Sequence, residues 1–331
     1  MTILSIETSC DETAAAVCQD RKILSSTILS QSIHTMFGGV VPEIASREHE
    51  KWLSLVVKNA LSESGVSMNE LDGVAVTRGP GLMGALLTGV SFAMGFSQGL
   101  SIPCIGINHI EAHIFSNFID YPELKYPFIC LLVSGGHTQI WLVNALGNYE
   151  LLGETRDDAA GEAFDKGARI LGLGYPGGPA IEKISRNGDE DAIAFPQAFI
   201  KKEGIEFSFS GLKTSLLNYV SKQGKERVNS RISDIAASYQ KAIINVLISK
   251  LKQAIDLTGV KISVIAGGVA ANKRLREFAK KELSNFHILF PDLSLCTDNA
   301  AMIAFLAEEY LRENTASPIY LDAVPNLRLV G

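Results

Sequence analysis

The chain has 331 residues, enough for about two domains, and 47% of them are hydrophobic, enough to fill a core in each. Its formal net charge of −6 argues against a surface coated with positive charge for nucleic-acid binding, but it allows a local basic face. Five scattered cysteines without any Cys-x-x-Cys pair exclude an evident disulfide framework, and they indicate reduced thiols in a cytoplasmic chain.

The N-terminal residues and the most apolar region both predict something other than membrane insertion. Residues 1–4 run directly into a strand pattern, without the basic start and apolar core of a signal peptide. Residues 81–100 look apolar, but glycines and polar residues interrupt them. We therefore expect a helix packed closely on a sheet there, rather than a membrane span.

The first half of the chain opens with a hairpin pattern. Residues 3–6 and 13–17 are apolar strand candidates, and residues 7–12 form a polar turn between them. The elements predicted after this hairpin are a helix near residues 47–64, a strand at 73–76, a long helix from about Gly81 and a strand at 104–107.

The second half begins in the same way. Residues 128–133 and 137–143 are strand candidates, joined by the turn at residues 134–136. The elements predicted after it are helices near residues 160–171 and 234–257, a strand at 263–266, and helices near 273–283 and 299–312. Strands alternating with helices predict an α/β fold whose sheets are covered on both faces.

Two sheets that each begin with a hairpin predict a duplicated fold, with two lobes and a cleft between them. Residues 121–127 contain two prolines and little periodicity, which is typical of a boundary. We expect a first lobe of residues 1–120 plus 299–331, and a second lobe of residues 121–298.

Two histidines follow the strand that ends at Ile107. His109 and His113 are four residues apart, so on a helix they lie on one face, where they could share a metal ion. A zinc-protease motif needs a glutamate directly after the first histidine, whereas Glu111 lies two residues after His109 and faces elsewhere. The pair predicts a metal site without a protease base, or two surface histidines at this spacing by chance.

Asp298 is the candidate third ligand. It stands just before the last predicted helix, in the position of an N-cap residue whose carboxylate accepts from backbone N–H groups. With His109 and His113 it would instead complete a His₂Asp site with open coordination positions, as expected for a catalytic ion. The sequence is compatible with both interpretations.

The turns of the two hairpins differ in chemistry. In Leu132-Val133-Ser134-Gly135-Gly136-His137-Thr138 the adjacent glycines allow backbone N–H groups to approach an anion, which predicts a phosphate loop or an ordinary Gly-Gly turn. The turn of the first hairpin offers hydroxyls and carboxylates but no glycine. Its Asp11 and Glu12 are candidates for handling protons or metal-bound water, or for simple turn and capping roles.

A further glycine turn, Gly267-Gly268, follows one strand and precedes a helix. Ligands bind at this point in open α/β sheets, and the glycines would admit a flat base or ribose while Asn272 gives directional hydrogen bonds. The spacing matches neither a dinucleotide fingerprint nor a P-loop. Residues 175–179 form another tight turn, which either faces a ligand or is a plain loop.

Taken together, these segments resemble the TsaD family of tRNA adenosine threonylcarbamoyltransferases over nearly the whole chain. The resemblance rests on ordered motifs at residues 6–13, 38–43, 79–82, 109–113, 132–138, 158–166, 207–214, 267–272 and 297–299. It implies an α/β, duplicated actin-like or sugar-kinase-like (ASKHA) fold.

The resemblance also implies site residues. It assigns one divalent metal ion, iron or zinc, to His109, His113 and Asp298. Contacts with an adenine nucleotide or threonylcarbamoyl-AMP are assigned to Leu132, Val133, Ser134, Gly135, Gly136, Asp165, Gly178, Glu182 and Asn272. Many members carry Asp at the position of Glu182, so the longer side chain could shift a ribose contact.

The implied reaction moves threonylcarbamoyl from its adenylate to N6 of the adenosine just 3′ of the anticodon, position 37, in tRNAs that read codons beginning with A. The implied partners are TsaB-like and TsaE-like proteins, with the adenylate supplied by a TsaC-like enzyme. Bacterial members often end near an Arg-Pro-Arg-Trp run. This chain has instead Val324-Pro325-Asn326-Leu327-Arg328, which argues against a tRNA contact at that end.

Basic residues cluster along one predicted helix, as an RNA contact or as a solvated face: Lys273, Arg274, Arg276, Lys280 and Lys281, with Lys201, Lys202 and Lys213 elsewhere. Because the chain is acidic overall, we expect tRNA affinity to depend on a composite surface formed with partners.

Three other functional classes share part of the pattern. A small-molecule kinase would have the fold but no need of the two histidines and Asp298. A metalloprotease would need a base beside the histidines. A non-catalytic scaffold paralogue, like TsaB, should lack the histidines and the 267–272 loop, both of which are present. We therefore favour the enzyme.

Overall fold

The computed structural model describes residues 1–198, 204–313 and 320–329. The chain divides into two compact units, of which the first comprises Met1–Leu124 with Pro291–Gly331 and the second Lys125–Phe290. Residues 291–298, which the sequence-based division assigned to the second lobe, belong to the first unit. Asp298 therefore shares a unit with His109 and His113.

Strands and helices alternate along most of the described chain. The strands are β1 Thr2–Glu7, β2 Glu12–Gln19, β3 Lys22–Ser30, β4 Gly73–Gly79, β5 Cys104–Asn108, β6 Phe128–Val133, β7 Thr138–Ala145, β8 Asn148–Glu154, β9 Ile262–Ala266 and β10 His287–Leu289. The helices are α1 Pro42–Ser64, α2 Met83–Leu100, α3 His109–Phe115, α4 Asn117–Asp120, α5 Ala160–Leu171, α6 Gly177–Ser185, α7 Ser210–Gln223, α8 Lys225–Ser230, α9 Ile232–Thr258, α10 Lys273–Glu282, α11 Leu293–Cys296 and α12 Ala300–Arg312.

The first unit is built on a sheet with the strand order β3-β2-β1-β4-β5. β1 lies in its middle, where it pairs antiparallel with β2 and parallel with β4, and all six of its residues are buried. β4 pairs parallel with β5. The carboxyl ends of β1, β4 and β5 therefore meet at one edge of the sheet, which is where open α/β sheets bind ligands.

Helices cover both faces of this sheet. Successive side chains of a strand point to opposite faces, so neighbouring residues of β2 join different clusters. Ala15 packs with Leu53 of α1 and Val90 of α2. Ala16 packs with Ala300 at the start of α12. The residue that precedes α12 is thus held close to the middle of the sheet.

The sheet of the second unit has the strand order β10-β9-β6-β7-β8. Its first three strands form an antiparallel meander, and its first, fourth and fifth strands are parallel. Numbered within its own unit, each sheet has the order third, second, first, fourth, fifth. The predicted duplication of an α/β unit is therefore confirmed by topology.

Several elements were not predicted because they carry little apolar periodicity. β3 and β8 extend the two hairpins to three strands, and each has one buried residue, Ser25 and Tyr149. An edge strand is paired on one side and partly solvated, so alternation is weak in its sequence. The expected turn at residues 175–179 leads directly into α6. α1 starts at Pro42, before the expected residue 47, because proline is favoured in the first turn of a helix.

Over the residues described, the structure contains no helix that combines the length and the apolar character needed to cross a bilayer.

Candidate functional site

Three side chains from two segments of the first unit converge at the carboxyl edge of its sheet. His109 and His113 lie on α3, and Asp298 precedes α12. Nε2 of His113 is 3.0 Å from Oδ1 of Asp298, and Nε2 of His109 is 3.5 Å from the same oxygen. The ligand atoms of the three residues lie within 4.8 Å of one another. The structure thus brings together the three residues that the sequence suggested as metal ligands.

The donor chemistry of this cluster suits a divalent transition-metal ion. Two imidazoles and one carboxylate leave coordination positions open, which is the arrangement of catalytic rather than structural sites. Glu7 is fully buried, and Glu12 adds a second half-buried carboxylate close by. Because several buried carboxylates are costly without compensation, a cation among them would stabilise the cluster.

Glu7 contacts Nδ1 of His109, whereas Asp298 lies near Nε2 of the same ring. Oε2 of Glu7 lies 3.0 Å from Nδ1 of His109 and accepts a hydrogen bond from Oγ1 of Thr77 at 2.6 Å. Burial alone would lower the pKa of His109, but attraction by Asp298 and Glu7 raises this pKa to about 9. Burial alone would raise the pKa of Glu7, but His109 keeps it below its usual value. In the metal-free protein the two form a buried ion pair.

Asn108 sets the start of the helix that carries the histidines. It is the N-cap of α3, and its Oδ1 accepts from the backbone N–H groups of Ile110 and Glu111 at 2.9 and 3.3 Å. Fixing this end fixes the direction of both histidines, since residues four apart share a helix face. Glu111 is buried and accepts from the Tyr310 hydroxyl instead of facing the histidines. The protease interpretation therefore lacks its base here.

The suggested capping role of Asp298 is wrong. Asn299 is the N-cap of α12, and its Oδ1 accepts from the Met302 N–H at 3.0 Å. A cap residue must sit directly before the helical turn that it closes, and that turn begins at Ala300. The Asp298 carboxylate is one residue too early, so it faces the histidines.

The polar turn between β1 and β2 borders the same cluster. Burial raises the pKa of Glu12 well above its usual value, and the nearby charges of Asp298 and Asp11 add to this effect. The backbone carbonyl of Asp11 accepts from the Gln31 N–H at 3.1 Å. Glu12 is thus a carboxyl group that holds a proton more tightly than an exposed one.

His49, on α1, forms hydrogen bonds that hold the turn between β1 and β2. It is fully buried, and burial lowers its pKa, so the ring is neutral. Its Nε2 lies 2.9 Å from the Cys10 carbonyl and its Nδ1 lies 2.8 Å from Oγ1 of Thr13. A carbonyl can only accept, so Nε2 donates to Cys10 and Nδ1 accepts from Thr13. The backbone on both sides of Asp11 and Glu12 is therefore held.

In the second unit, the turn between β6 and β7 is closed by its own hydrogen bonds. The Ser134 N–H donates to the His137 carbonyl at 2.8 Å, and the His137 N–H donates to Oγ of Ser134 at 3.1 Å. A Cβ atom added at Gly135 or Gly136 would meet nothing within 4 Å. The side chains of Leu132 and Val133 are buried in β6, so these two residues can offer a ligand only their backbone.

The start of α5 and the loop after β9 both approach the turn between β6 and β7 closely through their backbones. The Gly161 N–H at the start of α5 donates to the Ser134 carbonyl at 3.1 Å, and a Cβ there would lie 2.5 Å from that oxygen. Gly267, after β9, has φ +91°, and a Cβ there would lie 2.5 Å from the Val133 carbonyl. Gly268 beside it faces open space. Side chains at positions 161 and 267 would push these segments apart.

Asp165, Gly178 and Glu182 lie along α5 and α6. Oδ1 of Asp165 accepts from the Gly177 N–H at 2.7 Å, which links the two helices. Gly178 faces open space. Glu182, one turn further along α6, forms an ion pair with Arg186 at 3.5 Å.

Both polar atoms of the Asn272 side chain form hydrogen bonds within the protein. Its Oδ1 caps α10 by accepting from the Leu275 N–H at 2.9 Å, and its Nδ2 donates to Oε1 of Gln240 at 2.8 Å. Gln240 in turn donates to Oγ of Ser185 at 2.9 Å. The expected directional hydrogen bonds of Asn272 therefore run to α9 and α10, and its effect on a ligand would come through positioning.

A polar cavity of about 540 Å³ lies beside these residues. Its lining includes Glu182, Ser185, Gln240, Lys273 and Arg274. A volume of this size is in the range of small-molecule sites. The second unit by itself thus combines a glycine turn with a polar cavity.

Two arginines of the basic cluster on α10 form contacts inside the second unit, one with a carboxylate and one with a backbone carbonyl. Nη2 of Arg274 lies 2.7 Å from Oε1 of Glu190, and Nε of Arg276 donates to the Ala270 carbonyl at 2.7 Å. Lys280 and Lys281 are exposed. Lys201 and Lys202 lie outside the described residues.

The C-terminal segment, residues 320–329, packs on the ends of β4 and β5. The Val324 N–H donates to the Arg78 carbonyl at 2.7 Å, and the Gly81 N–H donates to the Pro325 carbonyl at 3.1 Å. Nδ2 of Asn108 donates to the Arg328 carbonyl at 3.3 Å. This segment therefore touches the cap of the helix that carries the histidines.

Glu7, His49, Asn108 and Gln240 support the site residues, and sequence reasoning gave none of them a role. Glu7 left a usable signal, because an acidic residue that ends an apolar strand needs a buried partner. His49 and Gln240 lie inside long helices, where one polar residue on a buried face has no distinctive spacing.

Comparison with known proteins places these features in a family. The family model described as TsaD, tRNA N6-adenosine threonylcarbamoyltransferase, matches residues 22–305. A protein of that name from Thermosipho africanus is 52% identical over 332 residues, which is 99% of this chain and 100% of that protein. One from Clostridium novyi is 53% identical over 333 residues, covering 99% and 97%.

Solved structures with little sequence similarity share the fold. HypF from T. kodakarensis aligns with a TM-score of 0.65 at 15% identity, covering 94% of this chain and 48% of that one. The activator of the 2-hydroxyisocaproyl-CoA dehydratase from Clostridium difficile, with bound ADPNP, aligns with a TM-score of 0.55 at 16% identity, covering 97% and 100%. These likenesses confirm the expected actin-like (ASKHA) α/β fold.

Proposed function

The chain belongs to the TsaD family of tRNA N6-adenosine threonylcarbamoyltransferases, and on that premise we propose that it transfers threonylcarbamoyl from threonylcarbamoyl-AMP to a tRNA. The acceptor is N6 of the adenosine 3′ of the anticodon, position 37, in tRNAs that read ANN codons. The observation that carries the proposal is the convergence of His109, His113 and Asp298. A kinase or a scaffold paralogue of this fold would have no use for that cluster.

The first unit would hold one divalent ion, Fe²⁺ or Zn²⁺. Nε2 of each histidine and the Asp298 carboxylate face a common point and would be its ligands. When bound, the ion supplies Lewis-acid stabilisation to an oxygen of the carbamoyl or phosphate group. The hydrogen bonds of Asn108 and Glu7 keep the two imidazoles oriented for this task.

The second unit would hold the adenylate. A Cβ at Gly135 or Gly136 would meet nothing within 4 Å, so a phosphate could approach this turn and accept hydrogen bonds from its backbone N–H groups. Gly178 and Gly268 would leave room for the nucleoside, since both face open space, and Gly267 would contribute by letting its loop approach Val133 closely. The other contacts assigned to this ligand are those of Ser134, His137, Asp165, Glu182 and the backbone at Leu132 and Val133.

Glu12 is our candidate for the proton transfer. The N6 amine of adenosine is a weak nucleophile and loses a proton when it attacks. A carboxylate whose pKa is raised by burial is a better base near neutral pH than an exposed one. Asp11 raises the pKa of Glu12 further by its charge, and His49 fixes the turn that carries both.

The proposed partners follow from the family. The acceptor is tRNA, TsaB-like and TsaE-like proteins assist, and a TsaC-like enzyme supplies the adenylate. The proposed location is the cytoplasm, where unmodified tRNA is available. The acidic chain, with only part of α10 free of internal ion pairs, is consistent with a tRNA surface completed by partners.

The test is mass spectrometry of nucleosides from unmodified tRNA incubated with the protein, its partners and threonylcarbamoyl-AMP. We expect threonylcarbamoyladenosine with the intact chain and none with Asp298→Ala, because that change removes a proposed ligand. Glu308→Gln is the matched control, since Glu308 is a fully buried acid of the same unit that contacts Arg312 and not the histidines.

Absence of product with active partners would overturn the proposed activity. Full activity of Asp298→Ala would overturn the role of the metal cluster in it.

A further inference from the structure

Three hydrogen-bond donors converge on the Glu7 carboxylate. The Ser9 N–H donates to Oε1 at 2.5 Å, and Oγ1 of Thr77 donates to Oε2 at 2.6 Å. Nδ1 of His109 lies 3.0 Å from the same Oε2. Glu7 ends the central strand and has no exposed surface, so it cannot move away from these donors. An ionised carboxylate only accepts hydrogen bonds, so His109 donates to it through Nδ1, and Oγ of Ser9 makes a longer contact of 3.3 Å with the same nitrogen.

The proton on Nδ1 determines the state of Nε2, the other nitrogen of the His109 ring. An imidazole that carries its proton on Nδ1 presents a lone pair at Nε2, and Nε2 of His109 is the atom that faces Asp298. We propose that Glu7 is a positioning residue that holds His109 in the Nδ1–H tautomer and fixes its ring plane, so that Nε2 can bind a divalent cation. This inference rests on the metal site of the proposed function, and it gives that site an orienting carboxylate.

Because three donors surround the Glu7 carboxylate, Glu7→Gln tests whether its two acceptor oxygens set the tautomer of His109. Glutamine has one acceptor oxygen and one NH₂ group, so one face of the carboxylate site becomes a donor. If the NH₂ replaces Oε2, Nδ1 of His109 must accept, and the proton moves to Nε2, where it blocks the cation. If the NH₂ replaces Oε1, it faces the Ser9 N–H. That arrangement sets two donors against each other, so the first arrangement, which blocks the cation, is favoured.

The measurement is the dissociation constant for Zn²⁺, obtained by competition with a chromophoric chelator. We expect Glu7→Gln to weaken Zn²⁺ binding by about 10–100-fold, the usual effect of losing a carboxylate behind a histidine ligand. Glu7→Asp keeps an acceptor, so we expect it to recover part of the affinity. The matched control is Glu308→Gln, which removes another fully buried acid of the unit and should leave Zn²⁺ affinity unchanged.

A second measurement needs no variant. The ¹⁵N chemical shifts of the His109 ring in the Zn²⁺-loaded wild type should show a protonated Nδ1 and a metal-bound Nε2. A metal-bound Nδ1 would overturn the proposal, as would wild-type Zn²⁺ affinity in folded Glu7→Gln. Equal losses in Glu7→Gln and Glu308→Gln would also overturn it, since they would reduce Glu7 to a structural role.

The two proposals fail separately. Zn²⁺ binding that depends on Glu7, in a protein without transfer activity, would overturn the activity and leave this role of Glu7 standing. Absence of Zn²⁺ binding by the wild type would overturn the inference itself.

Discussion

The buried charge of His109, in the proposed metal site, contributes to the stability of the metal-free protein. The pKa of His109 is about 9 in the folded chain, against 6.5 for an unperturbed histidine. The folded state binds this proton more tightly, so the contribution is complete below pH 6.5 and is lost as the pH rises through 9. We expect the free energy of unfolding of the chelator-treated protein to fall between pH 6.5 and 9.5.

Urea unfolding at the two pH values measures this change. His109→Gln has no proton to lose in that window, so the fall should be smaller in this variant than in the wild type. The same fall in both proteins would contradict the assignment of the buried charge to His109.

The placement of single residues was predictable where their spacing along the chain determines it. The four-residue interval between His109 and His113 requires a shared helix face, and the structure has that face. The role of Asp298 was ambiguous, because a shift of one residue in the start of the last helix decides whether Asp298 or Asn299 is the N-cap. The partners of Glu7 and His49 could not be identified from the sequence, since they lie 102 and 39 positions away along the chain.

At the scale of single elements, α3 depends on its cap. Asn108→Ala removes the Oδ1 that accepts from the first turn, and we expect a loss of about 1 kcal/mol in the free energy of unfolding. Zn²⁺ affinity should fall as well, because the turn that frays carries His109. Asn108→Asp keeps the cap and loses only the donor to Arg328. Equal Zn²⁺ affinity in Asn108→Ala and wild type would contradict this account.

The start of α5 gives a second test at this scale. A Cβ at Gly161 would lie 2.5 Å from the Ser134 carbonyl, so we expect Gly161→Ala to cost about 1–3 kcal/mol, as overpacking does. Gly178→Ala, also in the first turn of a helix, meets open space and should be neutral or stabilising by up to about 1 kcal/mol. Thermal unfolding of the two variants compares them directly, and similar midpoints would refute the close approach.

Central elements were predictable and peripheral ones were not. β1 and β6 are buried along their whole length, and their apolar runs predict strands. β3 is an edge strand with one buried residue, so only its partner β2 determines it. α6 begins with two glycines and a proline, which predict a turn. Its helical state depends on packing against α9, which local sequence does not reveal.

At the scale of the whole molecule, the C-terminal segment should stabilise the first unit. Truncation after Tyr320 removes buried Leu321 and the Val324 and Pro325 hydrogen bonds. We expect a loss of about 2–5 kcal/mol in the free energy of unfolding, from apolar burial and two hydrogen bonds. Urea unfolding measures it, with truncation after residue 329 as the control. Identical midpoints for both truncations would show that the segment is dispensable.

The duplication was predictable because each unit begins with the same hairpin pattern. The composition of the units was harder to predict, because long-range contacts decide it. Residues 291–298 carry short apolar and polar runs that fit either unit. Their place in the first unit follows from the packing of Leu295 and Ala300 against β2, which no local pattern encodes.

The divided first unit has a consequence for synthesis on the ribosome. Its N-terminal part, Met1–Leu124, emerges first, but Asp298 and α12 emerge only after the whole of Lys125–Phe290. Domains generally fold as units while the chain is still being made, so the second unit can finish folding while the first still lacks α12 and one proposed metal ligand. A nascent chain therefore contains His109 and His113, but not the carboxylate between them, while the whole second unit is synthesised. The proposed metal site is complete only after residue 298 has been added.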